Sequence, residues 1–401
     1  SDAVQTIQTI DTKLEQVRKV YGTPFRTNGD SKTAANPTNV NIRQATNIAL
    51  LIAIMGEIGV REQQYTAGAT VLGLTEYPAF LWQGYTMDSW VFDIKFNADG
   101  SIRRYKARLV AQGFSQTQGV DYFDTFSPVA SITTIRMLLA LATIKNWDVR
   151  QLDIETAYLN APVRETIYMR QVPGFESGDS KVLRLKRSLY GLKQAGKNWN
   201  DYLTEFLVSI GMIRSTYDPC LFYYRDDDGK IVLLGVYVDD IIITGDATDS
   251  IKQLIENLNL KFKIKDLGEV QQLLGMIVER DRIQRKMKIH QGPYIRRMIQ
   301  DFDISDTRPY KSPAYEDMYT QYYQALFDGD KRTIAFDYRG AIGCMMHLVN
   351  STRPDIANAV RFLSGFVTNY TDIHVKFAKR VLKYLELNAD LGISYCSSDD
   401  D

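Results

Sequence analysis

The sequence is poor in the residues that mark several common classes of protein. Its three cysteines, Cys220, Cys344 and Cys396, are far apart and form no C-x-x-C pair, so their spacing predicts no zinc site and favours a reducing compartment. No signal peptide is recognisable at the start, and the longest apolar run, Ile48–Met55, is too short to cross a bilayer. Basic and acidic residues both number 48, so the net charge gives no argument for a nucleic-acid partner. We therefore expect a soluble protein of a reducing compartment.

Charge is nevertheless distributed unevenly along the chain. Residues 101–200 hold 15 lysines and arginines against 8 aspartates and glutamates, and residues 281–300 hold 6 against 1. Such basic regions fit binding to a phosphate backbone, although a solvated helix face gives the same count. A length of 401 residues with 45% hydrophobic content is enough for two or three subdomains, at about 100–200 residues each.

The most informative segment is Tyr237–Asp240, which reads Tyr-Val-Asp-Asp. It lies between two short apolar runs rich in β-branched residues, Ile231–Val236 and Ile241–Ile243, which predicts two strands joined by a tight turn. Adjacent carboxylates at the tip of a buried hairpin repel each other and are costly to desolvate. A divalent cation relieves both costs, and ligands that are all oxygen favour Mg²⁺. The alternative is a surface turn that uses aspartate because aspartate is common in turns.

A third carboxylate is required for a site that holds two metal ions, and Asp153 is the candidate. It interrupts the strand-like segment Val149–Ile154, where a lone carboxylate is otherwise costly. Two cations held about 3.5–4 Å apart serve nucleotidyl transfer in polymerases. The alternative is an edge-strand residue that faces water.

Periodicity and turn signals predict a mixture of helices and strands without a regular βαβ repeat, so the predicted class is α+β. Helix 132–145 has Ser131 as its candidate cap. The other predicted helices cover 3–20, 41–58, 191–210, 250–258, 338–350, 355–370 and 374–387. The predicted strands cover 91–96 and 104–111, which form a basic hairpin, then 147–154, the two strands within 231–243, and 261–264.

Several further motifs occur in the order and spacing of one known family. The segment Asp153–Tyr158 continues as Leu159 and Asn160, and the other motifs are Lys106–Phe114, Gly119–Tyr122, Thr125–Ala130, Ser188–Ala195 with Trp199, Asp266–Gly268, Thr352–Ile356 and Arg380–Leu385. Together they resemble the reverse transcriptases of copia-type LTR retrotransposons over about residues 90–395. The resemblance implies an α+β right-hand polymerase fold.

The same resemblance implies a division into domains. Residues 1–80 would be an unassigned N-terminal extension, 81–150 the fingers, and 151–285 the palm with part of the fingers inserted. Residues 286–401 would be a thumb- or connection-like helical region that ends before an RNase H domain. We accordingly expect a polymerase segment of a larger polyprotein.

Catalytic roles carry over to the matched positions. Asp153, Asp239 and Asp240 would be the catalytic carboxylates and would hold two Mg²⁺ ions, for which Mn²⁺ can substitute. Asp153 and Asp239 would bridge the two ions. Ile154 would lend its backbone carbonyl or amide near the metals and the triphosphate.

Nucleotide-binding and primer-binding roles carry over in the same way. Tyr158 resembles a steric gate against the ribose 2′-hydroxyl, with a packed core tyrosine as the alternative. Tyr190 and Gly191 would lie beneath the template base and the incoming dNTP, where glycine permits close approach. The cations Lys106, Arg108 and Lys193 would bind the triphosphate, unless they are solvated surface residues. The primer would be contacted by Tyr237, Gly275 and Met276.

The expected function is that of an RNA-directed DNA polymerase that copies retrotransposon RNA into cDNA. The expected partners are an RNA template, a DNA or tRNA primer, the RNA–DNA hybrid, dNTPs, and integrase or RNase H parts of the same polyprotein, without a membrane. The expected location is cytoplasmic, in a virus-like particle, with cDNA destined for the nucleus. The alternatives are a catalytically silent nucleic-acid-binding relic and a template-independent nucleotidyl transferase.

Overall fold

The computed structural model describes residues 75–78, 88–96, 102–172, 181–304, 310–314, 317–329 and 331–397. Almost all of the predicted N-terminal extension, including the helices predicted over 3–20 and 41–58, lies outside these residues. The structure of the described part mixes helices with antiparallel sheets, which confirms the α+β prediction.

The elements follow in chain order. The strands are β1 (Thr75–Pro78), β2 (Asp88–Phe96), β3 (Ile102–Ala111), β4 (Val149–Ile154), β5 (Tyr168–Met169), β6 (Lys181–Arg184), β7 (Ile213–Arg214), β8 (Leu221–Arg225), β9 (Ile231–Tyr237), β10 (Asp240–Gly245), β11 (Ile264–Glu269), β12 (Gln272–Leu273), β13 (Met276–Asp281), β14 (Lys286–His290) and β15 (Gly392–Cys396). The helices are α1 (Ile132–Ile144), α2 (Ala157–Asn160), α3 (Ala195–Ser209), α4 (Thr248–Lys261), α5 (Gly292–Asp301), α6 (Met318–Phe327), α7 (Tyr338–Ser351), α8 (Ala357–Ser364) and α9 (Asp372–Leu387). Short 3₁₀ helices cover Gly113–Ser115 and Pro354–Ile356.

The chain divides into two compact units. The first unit comprises residues 1–126 and 158–199, and the second comprises 127–157 and 200–401. The boundary predicted at 150 differs from this division, because α1 contacts β9 and β10 and thus belongs to the second unit. The boundary predicted at 285 falls between β13 and β14, which pair with each other, and the division into palm and thumb stays a prediction.

The first unit holds two small antiparallel sheets. Strands β2 and β3 form the predicted basic hairpin, and β1, β6 and β5 form a three-stranded sheet in that order. Apolar side chains from β3, β6 and the segments 167–172 and 185–195 make one core, among them Leu109, Ile167, Met169, Leu183 and Leu189. This core supports the segment that contains Tyr190 and Gly191.

The second unit is built on a six-stranded antiparallel sheet in the order β11-β4-β10-β9-β8-β7. Its central strands β4, β10 and β9 are apolar and largely buried, as expected for β-branched residues on a covered sheet. Helix α1 begins at the predicted cap, where the Ser131 hydroxyl accepts a hydrogen bond from the Thr134 amide at 3.0 Å. Strand β4 with Asp153, and strands β9 and β10 with Asp239 in their turn and Asp240 at the start of β10, are therefore in the middle of the sheet.

The second unit also contains a four-stranded sheet, β12-β13-β14-β15, and a helical core from α5 to α9. Arg353 of the Thr352–Ile356 motif is fully buried and donates hydrogen bonds to both Asp355 carboxylate oxygens, at 2.9 and 2.7 Å, and to the Asn388 carbonyl at 2.8 Å. Burial raises the pKa of Asp355, but the hydrogen bonds from Arg353 and Tyr384 outweigh it and the pKa is lowered. This motif therefore stabilises the helical core.

Most predicted elements are present, with shifted ends. The helix predicted over 191–210 begins only at Ala195, and the one predicted over 355–370 is a 3₁₀ turn followed by the short α8. Helix α5, helix α6 and the strands β13, β14 and β15 were not predicted. Charged residues interrupt the apolar pattern of α5, β13 and β14, whereas α6 and β15 are short segments without a charged residue. Within the described residues, no helix is both long enough and apolar enough to span a bilayer.

Candidate active site

The turn between β9 and β10 has only two residues, Val238 and Asp239. Tyr237 and Asp240 are paired across it and close the hairpin. Val238 has a φ of +58°, a conformation that β-branched residues rarely adopt. Holding it there costs about 1–3 kcal/mol, and such strain collects at functional sites. The turn is also held from the side, because the Ile154 amide donates a hydrogen bond to the Asp239 carbonyl at 2.9 Å.

Strand pairing brings the third carboxylate to the hairpin. In the β10–β4 register, Asp240 lies directly opposite Asp153. Residues that are directly opposite in an antiparallel pair point to the same face of the sheet. On the other side of β4, the exposed Lys265 of β11 lies opposite Asp153 as well. All three predicted catalytic carboxylates are therefore at one end of two central strands.

Asp240 is in an electrostatically unfavourable position at this sheet end. Asp153, Asp239 and Asp240 are each half-buried. The pKa of Asp240 is raised above its ordinary value, first by burial and then by the negative charges of Asp239 and Asp153, while a hydrogen bond from Gln151 opposes the rise. The Gln151 Nε2 donates that bond to Asp240 Oδ1 at 3.2 Å.

The chemistry of this donor set fits a hard divalent cation. Three carboxylates provide only oxygen ligands, which suits Mg²⁺, and their mutual repulsion is what a cation relieves. Among the residues that the structure describes, however, no three His, Cys, Asp or Glu side chains already converge as ligands of a metal ion. The strand register places Asp153 opposite Asp240 at the sheet end where Asp239 lies, and metal binding there stays a prediction.

Ile154 and Tyr237 lie beside the carboxylates in the second unit. The Ile154 side chain is buried, and its backbone amide donates a hydrogen bond to the Asp239 carbonyl. A role near the metals therefore stays a prediction for the Ile154 backbone carbonyl. Tyr237 is half-buried at the end of β9, paired with Asp240. Its contact with a primer stays a prediction.

Tyr158 and Tyr190 form an aromatic pair in the first unit. Their ring centroids are 4.5 Å apart and the rings are tilted by 38°. Tyr158 belongs to the short helix α2, is half-buried, and packs against the core of this unit. Such a pair contributes about 0.5–1.5 kcal/mol beyond its area, so both rings are held in defined positions.

Gly191 is required for contact between protein segments. Its φ is +93°, and a Cβ there would lie 1.9 Å from the Ala111 carbonyl oxygen. The Ala111 amide in turn donates a hydrogen bond to the Tyr190 carbonyl at 2.7 Å. The close approach predicted for a nucleotide is thus made, in the structure, by the end of β3.

A polar clamp joins the 188–195 segment to the 112–122 segment. Gln116 is buried; its Nε2 donates to Gln194 Oε1 at 3.0 Å, and its Oε1 accepts from the Lys193 amide at 2.8 Å. Gln194 also donates to the Asp121 carbonyl at 2.7 Å. The exposed Lys193 ammonium donates to the Tyr122 hydroxyl at 3.2 Å. Two glutamines therefore fix the backbone that presents Lys193.

The two other predicted triphosphate cations are on β3. Arg108 is half-buried and lies opposite Val91 of β2. Lys106 lies opposite Asp93 in the same pair, and its side chain is outside the described residues. Alternation along β3 places both residues on one face of the hairpin, so their shared role stays a prediction.

The predicted primer contact at Gly275 and Met276 is divided by the structure. Leu274 and Gly275 form the turn between β12 and β13, with φ values of +50° and +77°, and Gly275 is exposed. The Met276 side chain is completely buried. The Met276 side chain is therefore part of the core and does not face a primer, and a primer contact through the exposed turn or the Met276 backbone stays a prediction.

Several residues that hold this site were missed by sequence reasoning. Gln151 is one, although its place two residues before Asp153 in a strand was a usable signal. Arg280 is another; its buried guanidinium donates to the carbonyls of Ala142 and Trp147 at 3.2 and 2.6 Å and so fixes the connection from α1 to β4. No sequence signal links Arg280 to residues 133 or more positions away.

Comparison with known proteins agrees with these motifs. Residues 85–316, more than half of the chain, match the family model described as "Reverse transcriptase (RNA-dependent DNA polymerase)". The chain is 38% identical over 306 residues to the retrovirus-related Pol polyprotein from transposon RE1 of Arabidopsis thaliana, covering 76% of this chain and 20% of that protein. It is 37% identical over 300 residues to the retrovirus-related Pol polyprotein from transposon TNT 1-94 of Nicotiana tabacum, covering 74% of this chain and 23% of that protein.

The chain thus spans about a fifth of the length of these curated relatives, 20% and 23%. Among solved structures, a foamy viral protease-reverse transcriptase in complex with RNA/DNA hybrid aligns with 91% of this chain and 39% of its own, at 11% identity and a TM-score of 0.36. That score is too low to support the fold, so the assignment depends on the sequence match. The protein belongs to the reverse transcriptase (RNA-dependent DNA polymerase) family, in the form found in Pol polyproteins of copia-type retrotransposons.

Proposed function

We propose that this protein is an RNA-directed DNA polymerase that copies retrotransposon RNA into cDNA by two-metal-ion nucleotidyl transfer. The observation that carries the proposal is the strand register that places Asp153 opposite Asp240, one residue from Asp239. Family membership supplies the reaction class. The register brings the three carboxylates to one sheet end, and a divalent cation there would relieve the repulsion that Asp239 and Asp153 exert on Asp240.

The chain's own residues have separate tasks in this proposal. Asp153, Asp239 and Asp240 would hold two Mg²⁺ ions, or Mn²⁺ in their place, and the tight β9–β10 turn would keep Asp239 at the end of the sheet. Bound divalent cations lower the pKa of the primer 3′-hydroxyl and neutralise charge on the triphosphate. Tyr237 would support the primer terminus from the adjoining strand.

The nucleotide would be selected by residues of the first unit. The Tyr158 ring, held against Tyr190, would exclude a ribose 2′-hydroxyl. Lys193, together with Lys106 and Arg108, would bind phosphate oxygens. The Gln116–Gln194 clamp would keep the Lys193 backbone in place.

The partners and location follow from the same proposal. The protein would bind an RNA template, a DNA or tRNA primer, the RNA–DNA hybrid and dNTPs, and would act with integrase and RNase H parts of a longer polyprotein. It would act in a cytoplasmic virus-like particle, from which cDNA passes to the nucleus.

The test is primer extension on an RNA template with dNTPs and Mg²⁺, comparing the parent protein with Asp239→Asn. We expect the parent to extend the primer and Asp239→Asn to lose at least about 10³-fold in rate, because a missing ligand forfeits several kcal/mol of metal-derived stabilisation. The matched control is Asp228→Asn, an aspartate in the exposed turn between β8 and β9, which should keep the parent rate.

Three other outcomes would contradict the proposal in different ways. Equal extension by the parent and Asp239→Asn would remove the hairpin carboxylates from the mechanism. Extension without a template would indicate a template-independent transferase. Tight, salt-sensitive binding to the primer–template without extension by the parent would favour the nucleic-acid-binding relic.

A further inference from the structure

Gln151 is a buried polar residue beside the carboxylates. It is 7% exposed and lies on β4, two residues before Asp153. Alternation along the strand puts Gln151 and Asp153 on the same face. Because Asp240 pairs with Asp153 and Ile242 with Gln151, Gln151 is the diagonal neighbour of Asp240 across the β4–β10 pair.

The contact between the two side chains is direct. Gln151 Nε2 donates a hydrogen bond to Asp240 Oδ1 at 3.2 Å. A glutamine amide is neutral, so it adds no charge to a face that already carries three carboxylates, and it offers hydrogen donors that an apolar side chain lacks. A lysine or arginine here would compete with a cation for the same oxygens.

We propose that Gln151 is a positioning residue for the metal ligands: its amide holds one oxygen of Asp240 against β4 and leaves the other oxygen for a divalent cation. This inference rests on the proposed function and adds to it that the three carboxylates have different roles. Asp240 would then offer a single oxygen to the cations, and Asp153 and Asp239 would supply the remaining carboxylate ligands. Partners in the outer shell of a metal site are known to fix ligands in this way.

The test measures cation binding without turnover. Mn²⁺ binding is followed by electron paramagnetic resonance, and Mg²⁺ by competition, with a chain-terminated primer–template and a dNTP present. We expect Gln151→Met, which keeps the side-chain volume but removes the donor, to weaken cation binding by about 10-fold. The matched control is Ile242→Val, which alters packing at the paired position without touching the donor.

A double-mutant comparison separates positioning from general disturbance. If Gln151 acts through Asp240, Gln151→Met should cause no further loss of cation affinity in an Asp240→Asn background. Additive losses would overturn the inference, since they would mean that Gln151 acts independently of Asp240. Equal cation affinity in the parent and Gln151→Met would overturn it as well.

A second measurement needs no variant and covers the case in which Gln151→Met does not fold. The side-chain amide signal of Gln151 in ¹⁵N–¹H spectra should shift when Mg²⁺ is added, because the Asp240 carboxylate that accepts its hydrogen bond then also binds the cation. Saturable Mg²⁺ binding with no shift of that signal would contradict the inference alone. Absence of cation binding by the parent would instead overturn the proposed metal site, and this inference with it.

Discussion

The two units hold their candidate residues by different physical means. In the first unit, Tyr158, Tyr190 and Gly191 are fixed by packing: two tilted rings in contact and a glycine that lies against the end of β3. In the second unit, Asp153, Asp239 and Asp240 are brought together by strand register against their mutual repulsion. The first arrangement contributes to the stability of the fold, whereas the second opposes it. Substitutions of the first unit's residues should therefore lower the stability of the fold, whereas removal of a carboxylate in the second unit should raise it.

The largest stability effect is expected at Gly191. Gly191→Ala places a Cβ 1.9 Å from the Ala111 carbonyl oxygen, at a φ of +93°. Strain and overpacking together should cost about 3 kcal/mol, or about 10²-fold in the folding equilibrium, measured by urea denaturation. Gly229→Ala is the control, because Gly229 has a φ of +80° with nothing within 4 Å of its added Cβ. Equal losses in both variants would show that backbone strain alone, and no close approach, explains Gly191.

An intermediate effect is expected at Tyr158, in substrate selection. Tyr158→Ala should raise incorporation of ribonucleotides relative to deoxyribonucleotides by at least about 10-fold, because a removed ring no longer excludes the 2′-hydroxyl. Tyr158→Phe keeps the ring and should keep the selection, so it serves as the control in competition assays. A stability loss with unchanged selection in Tyr158→Ala would mean that the ring only packs against Tyr190.

The smallest effect is expected at Asp240, where a substitution should raise the stability of the fold instead of lowering it. Since folding raises the pKa of Asp240 above 3.8, the folded protein binds this proton more tightly than the unfolded chain. The resulting stabilisation is present below pH 3.8 and is lost as the pH rises through the folded pKa. Asp240→Asn should therefore unfold at a higher urea concentration than the parent near pH 7, and at about the same concentration near pH 3.

The Asp240→Asn comparison has its own control in Asp228→Asn, at an exposed turn position. That variant should differ from the parent by no more than about 0.5 kcal/mol at either pH. If Asp240→Asn were less stable than the parent near pH 7, the carboxylate would be stabilising the sheet end. The contrast between the two units would then fail.

The predictability of the fold followed the strength of the local signals. The β9–β10 hairpin and helix α1 were predictable because an alternating or helical apolar run ends at a turn or a capping serine. Helix α8 is shorter than predicted. Strand β15 was missed because it forms by pairing with β14, a partner more than 100 residues away in the sequence. Local pattern has no information about such a partner.

The same distinction applies to the candidate site. The sequence by itself determined the family, through ordered motifs, and the identities of Asp153, Asp239 and Asp240 as candidate ligands. Only the tertiary structure decided that Asp153 faces Asp240, that Gln151 binds Asp240, that Met276 is core, and that Gly191 meets Ala111. The physical reason is that residue type and spacing fix chemistry and local conformation, whereas burial and side-chain partners are set by register and packing between distant segments.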